Sequence, residues 1–123
     1  RYLDEWNERR RALAARYDAL LAGSGVVTPA VREGCQHVYH LYVVRSQRRD
    51  ALQAHLKAQG IGTIVHYPLA VHQQPAYADV AIGPGGLAET ERAAAEVLSL
   101  PLYPEMPDEH VERVAAAVRA FDR

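Results

Sequence analysis

Apolar positions in the first twenty residues recur at mixed steps of three and four. Leu3, Trp6, Leu13, Tyr17, Leu20 and Leu21 follow that spacing, with arginines and acids between them. The pattern predicts a helix over residues 2–22, and Gly23-Ser24-Gly25 supplies its stop. Residues 26–34 read as extended chain interrupted by Pro29. Residues 37–45 concentrate β-branched and aromatic side chains and predict a strand. Alternation would place His37, Tyr39, Leu41, Val43 and Arg45 on one face, and Val38, His40, Tyr42 and Val44 on the other. A second helical pattern runs from Arg48 to Gln59, with Ala51, Leu52, His55 and Leu56 on one side and Gly60 as its end. Ile61 to Val65 predicts another strand. Leu87 to Glu96 predicts a third helix, and Val97 to Leu100 a short strand stopped by Pro101. Pro104, Met106 and Pro107 mark a turn. Asp108 is placed to cap a last helix whose inner face carries Val111, Val114, Ala115, Val118 and Phe121.

These elements describe an α+β unit with about three strands, in a small antiparallel or mixed sheet packed with helices. Its 123 residues, 49% of them hydrophobic, suit one domain with one core over residues 1–123. The formal net charge of -1 argues against a nucleic-acid partner, which needs a basic face. Arg9, Arg10 and Arg11 cluster beside Glu5 and Glu8 and read as a solvated helix face. No apolar run approaches the roughly 18 residues of a membrane span. Cys35 is the single cysteine, so no internal disulfide forms, and a reducing cytoplasm fits. The chain opens at Arg1 inside a helical pattern, without an initiator Met, and reads as a piece of a longer protein.

Chemistry concentrates in one stretch. The strand ending at Val65 is followed by His66, Tyr67, His72 and Tyr77, with Pro68 and Pro75 stiffening the path. Loops rich in rings at strand ends are where proteins hold ligands. Tyr and His join a flat apolar body to a polar tip, which suits a sugar or nucleotide. The same rings could equally cap the strand and pack on the surface, and the residues alone leave both readings open. The loop over residues 67–86 is long for a compact domain, and its tip, Ile82 to Gly86, could be a lid or a spacer.

Other chemistries find less support. His37 and His40 would point to opposite faces of a strand, so no metal site is expected. Nothing marks Cys35 as an activated nucleophile. Gly83-Pro84-Gly85-Gly86 lacks the preceding strand and the lysine of a phosphate loop. Lys57, the single lysine, sits near a helix C-terminus, where a cation is favoured on electrostatic grounds. No residue qualifies as a covalent catalyst.

Several segments, in order, resemble the C-terminal small domain of DegT/DnrJ/StrS-type nucleotide-sugar aminotransferases, which depend on pyridoxal phosphate (PLP). They are Arg10-Arg11 with Ala14 to Tyr17, His37 to Arg45, Arg49 to Leu52, Gly60 to Thr63, and Val65 to Pro68. Then come His72 to Tyr77, Ala88-Glu89, Ala95 to Pro101, and Leu102 to Pro104. The resemblance implies the small domain of a fold-type-I aminotransferase, covering almost the whole chain. It implies a large domain, absent from this chain, that holds the cofactor-binding lysine. It also implies a homodimeric parent that moves an amino group from glutamate to a keto nucleotide-sugar. This chain would close one side of the cleft, hold no PLP itself and be inactive alone. Carried over residue by residue, the resemblance makes His66 and Tyr67 substrate contacts, with His72 next and His40 near the cleft. Glycines 83, 85 and 86 exceed what the family leads one to expect in that loop. Two other readings remain: a standalone small-molecule-binding or regulatory module, and a dimerisation domain.

Overall fold

Helix α1 (Leu3–Leu21) carries one stripe inward: Leu13, Ala14, Tyr17 and Leu21 are buried. It ends where Gly23 takes a left-handed conformation, φ 71°, that favours glycine. The computed structural model describes residues 1–77 and 79–121. After α1 come β1 (Tyr42–Arg45), α2 (Arg49–Ala58), α3 (Ala88–Glu96), β2 (Val97–Leu100) and α4 (Asp108–Phe121). Short 3-10 turns at Val71–Gln73 and Pro75–Tyr77 interrupt the long connection between α2 and α3. Helix α2 stops at Gly60, again at positive φ, 72°.

Strands β1 and β2 are antiparallel, pairing Tyr42 with Leu100, Val43 with Ser99, Val44 with Leu98, and Arg45 with Val97. Single bridges extend the sheet on each side, Val27 to Arg45 beyond β1 and Ile64 to Ser99 beyond β2. The class is therefore α+β, with a sheet narrower than the three full strands expected. Ile61 to Val65 contributes only the Ile64 bridge. Ile61 is still held by the end of α2, its N–H donating to the Leu56 carbonyl at 2.9 Å. Residues 37–41 are not strand either. Tyr39 adopts φ 47°, and its N–H donates to His37 Nδ1 at 2.7 Å instead of to a neighbouring strand. A left-handed aromatic residue cannot continue a ladder.

One face of the sheet meets α1, α2 and α4. Tyr42, Val44, Leu98 and Leu100 join Leu13, Tyr17, Leu52, Leu56, Val111 and Val118 in a single buried cluster. Tyr17 and Tyr42 stack at 4.7 Å. The Tyr42 hydroxyl donates to Asp18 at 2.5 Å and that of Tyr17 to the Pro101 carbonyl at 2.9 Å, so neither buried phenol lacks a partner. Val111, Val114, Ala115 and Val118 of α4 face inward as expected, and Phe121 packs at the margin. In α2, Ala51 is exposed and only Leu52 and Leu56 are fully buried.

Charged side chains tie the helices together. Arg9 donates to the Met106 carbonyl at 2.8 Å and to Asp108 at 2.7 Å. Arg10 reaches the His40 and Leu102 carbonyls at 3.4 Å each. Arg9 and Arg10 are thus cross-links rather than a solvated face; of the three, only Arg11 keeps a local partner, Glu8. Asp108 is the first residue of α4, and its carboxylate turns to Arg9 and Arg16 of α1 instead of capping its own helix. The hydrogen bond from Arg9, aided by its charge and that of Arg16, holds the Asp108 carboxyl below its ordinary range.

Candidate functional site

The second face of the sheet is only partly covered. Alternation along the strands places Val43, Arg45, Val97 and Ser99 on it, and the Ile64 bridge to Ser99 adds its outer edge. Helix α3 lies against this face. Its last residue, Glu96, pairs with Arg45 at 2.7 Å. Arg49 of α2 donates to the Ala94 and Val97 carbonyls at the end of α3 at 3.2 and 3.3 Å. These contacts fix α3 and leave a hollow between it and the chain that follows Val65.

His66 and Tyr67 line that hollow, with Leu69, Ala70, Val71, Thr90, Ala93, Ala94 and Val97; its volume is about 260 Å³. His66 lies two residues beyond the bridge, in diagonal reach of Ser99. Its Nδ1 stands 2.9 Å from Ser99 Oγ. The His66–Tyr67 peptide is cis, and the two rings meet edge to face at 5.6 Å. Tyr67 is 74% exposed, so a flat apolar ring stands open beside a half-buried imidazole. Ile64, Leu69 and Val71 nearby are also exposed. Such a surface can pack a sugar or base face while the ring edges bond its polar atoms.

His72 and His40 are placed differently. His72 sits on the 3-10 turn at Val71–Gln73 with its side chain 10% exposed, and its Nε2 is 2.9 Å from Glu91 of α3. It clamps the loop to α3 rather than lining the hollow. His40 is exposed before β1, and its carbonyl accepts from Arg10. The structure therefore brings His66 and Tyr67 together and leaves His72 and His40 apart from them. Two residues escaped the sequence reading. Ser99 holds His66, and Glu91 holds His72, from 33 and 19 residues away in sequence. Neither carries a local signal.

Larger hollows exist. One of about 600 Å³ lies beside Trp6, lined by Glu5, Glu8 and Glu105 against the single cation Arg9, a balance unfavourable to an anionic ligand. One of about 520 Å³ is lined by Asp50, Gln53, Lys57 and Thr63 with no ring in it. Among the described residues, no three His, Cys, Asp or Glu side chains group to hold a metal, and no helix is long and apolar enough to cross a membrane. Cys35 is exposed.

A model of the DegT/DnrJ/EryC1/StrS aminotransferase family matches residues 1–119. A dTDP-3-amino-3,4,6-trideoxy-alpha-D-glucose transaminase of Streptomyces venezuelae is 47% identical over 121 residues, covering 98% of this chain and 32% of that protein. A pleiotropic regulatory protein of Geobacillus stearothermophilus is 46% identical over 125 residues, covering 99% of this chain and 34% of that protein. The crystal structure of S. venezuelae DesV in complex with a ketimine intermediate matches with a TM-score of 0.94 at 46% identity, over 99% of this chain and 33% of that one. NtdA of Bacillus subtilis with bound cofactor PMP matches with a TM-score of 0.84 at 32% identity, over 98% and 29%. The chain thus spans about a third of the length of the relatives it matches.

Proposed function

Since the chain belongs to the DegT/DnrJ/EryC1/StrS aminotransferase family, we propose that it is the small C-terminal domain of a nucleotide-sugar aminotransferase and closes one side of the substrate cleft. The observation that carries this reading is the match to DesV along nearly the whole chain but only 33% of DesV. The remaining length is assigned to a large domain of the same polypeptide. PLP, when bound there, supplies the group that accepts and passes on the amino nitrogen.

This chain's own residues do not fit that cofactor. A Schiff base needs a sheltered amine, and Lys57 is exposed near the end of α2, outside the hollow with His66. The role assigned to the chain is grip and placement. His66 offers an imidazole donor to a diphosphate or keto oxygen of the sugar nucleotide, and Tyr67 offers its ring face and hydroxyl. His72 and His40 are assigned supporting roles at the margin of the cleft. Holding the keto sugar in one orientation would contribute through positioning. The amino donor is assigned as glutamate, the assembly as a homodimer and the location as the cytoplasm.

A second reading, a regulatory module, is favoured by the pleiotropic regulatory protein among the relatives. A chimera separates the two. The matching third of the S. venezuelae transaminase is replaced by this chain, and turnover of that enzyme's nucleotide-sugar is measured. The aminotransferase reading expects turnover that falls at least tenfold with His66→Gln. A folded, cofactor-loaded chimera with no turnover would contradict it.

A further inference from the structure

We infer that Ser99 is a positioning residue: it donates its hydroxyl proton to His66 Nδ1 and thereby presents His66 to substrate in the tautomer whose Nε2–H is the free donor. The inference rests on the reading of His66 as a substrate contact and adds the device that sets its tautomer.

Ser99 is placed by backbone on both sides. Its N–H donates to the Ile64 carbonyl at 2.8 Å, and its carbonyl accepts from the Ile64 N–H at 3.3 Å. On the other side it pairs with Val43. The hydroxyl therefore hangs from the middle of a sheet, not from a mobile loop. Ser99 is 5% exposed. Among the described residues its hydroxyl has one partner, His66 Nδ1, at 2.9 Å. Ser46, the other buried polar residue among those described, uses its hydroxyl differently: it accepts from the Arg48 N–H and shapes the turn into α2. Ser99 serves no such local purpose.

The direction of the bond follows from satisfying both groups. A serine hydroxyl has one proton to give, and a buried donor without an acceptor is unfavourable. If Nδ1 carried the imidazole proton and donated to Oγ, the Ser99 proton would lack an acceptor. If Oγ–H donates to Nδ1, both groups are satisfied and the imidazole proton sits on Nε2. The ring is thus held as a single-tautomer donor suited to a phosphate or keto oxygen.

The test uses the full-length protein that carries this chain, labelled with 15N-histidine, with His66 assigned by its loss in His66→Gln. The wild type should show the Nε2–H tautomer at His66. Ser99→Ala should mix the tautomers and lower kcat/KM for the nucleotide-sugar about three- to tenfold, the scale of one oriented hydrogen bond. Ser99→Thr, which keeps the hydroxyl, should restore both. An Nδ1–H tautomer in the wild type, or a tautomer indifferent to Ser99→Ala, overturns the inference. If the tautomer responds and His66→Gln lowers kcat/KM while Ser99→Ala does not, the positioning role fails alone. If neither substitution changes kcat/KM, the substrate-contact reading fails and takes the positioning role with it.

Discussion

The two faces of the β1–β2 sheet differ in how they are finished. On one, Tyr42, Val44, Leu98 and Leu100 disappear beneath α1, α2 and α4. On the other, α3 and a loop bury Ser99 but cover Val43 and Val97 only in part, and Ile64 at the edge stays 60% exposed. The first face carries the apolar burial that drives folding. The second carries polar pairs, Arg45 with Glu96 and His66 with Ser99, whose value lies in orientation. Apolar burial and polar pairing are thus divided between the two faces of one sheet.

The division can be broken from the buried side first. Leu98→Ala removes a fully buried side chain of β2 and should lower stability by about 2–5 kcal/mol in urea unfolding. A loss under about 1 kcal/mol would mean that this face is not the core. Next in size is Tyr42. Burial, with the Asp18 hydrogen bond second, pushes its phenol above the ordinary tyrosine value of about 10. A group raised on folding contributes stability that is complete below about pH 10 and is lost as pH climbs above it. Tyr42→Phe should lower neutral-pH stability by about 1 kcal/mol and flatten the alkaline limb of a stability–pH curve. An unchanged alkaline limb would remove Tyr42 as its source.

A smaller effect is expected at the surface. Arg9 holds Asp108 below its ordinary value, so the contribution of this pair is present at neutral pH and fades as pH falls through the lowered value. Asp108→Asn should lower the melting temperature modestly at pH 7, with the difference from wild type closing in acid. A constant difference at all pH values would assign the effect to packing. Smallest for the fold is Tyr67→Ala, expected to move stability by less than about 0.5 kcal/mol while weakening nucleotide-sugar turnover. A large stability loss there would extend the core to the second face.

The helices were legible because their apolar spacing and their glycine stops agree. Gly23 and Gly60 do take the left-handed conformation that ends α1 and α2. The strands were less so. Residues 37–41 have the composition of a strand, but composition does not report backbone direction, and Tyr39 turns the chain. Ile61 to Val65 has the same composition, yet the tail of α2 and the turn into Tyr67 leave room for one bridge. Within the candidate site, the ring-rich loop stood out locally as His66 and Tyr67. Ser99 did not, since a serine in an apolar strand reads as filler until a partner 33 residues away is folded against it. Arg9 and Asp108 meet across 99 residues and were opaque for the same reason.

The division of labour is tested most directly by His66→Gln in the full-length protein carrying this chain, with kcat/KM for the nucleotide-sugar and the thermal midpoint measured on the same preparation. The expected result is a fall of tenfold or more in kcat/KM with the midpoint within about 2 °C of wild type. A midpoint lowered by many degrees, with turnover per folded molecule unchanged, would make His66 a packing residue and contradict the assignment of the second face to substrate.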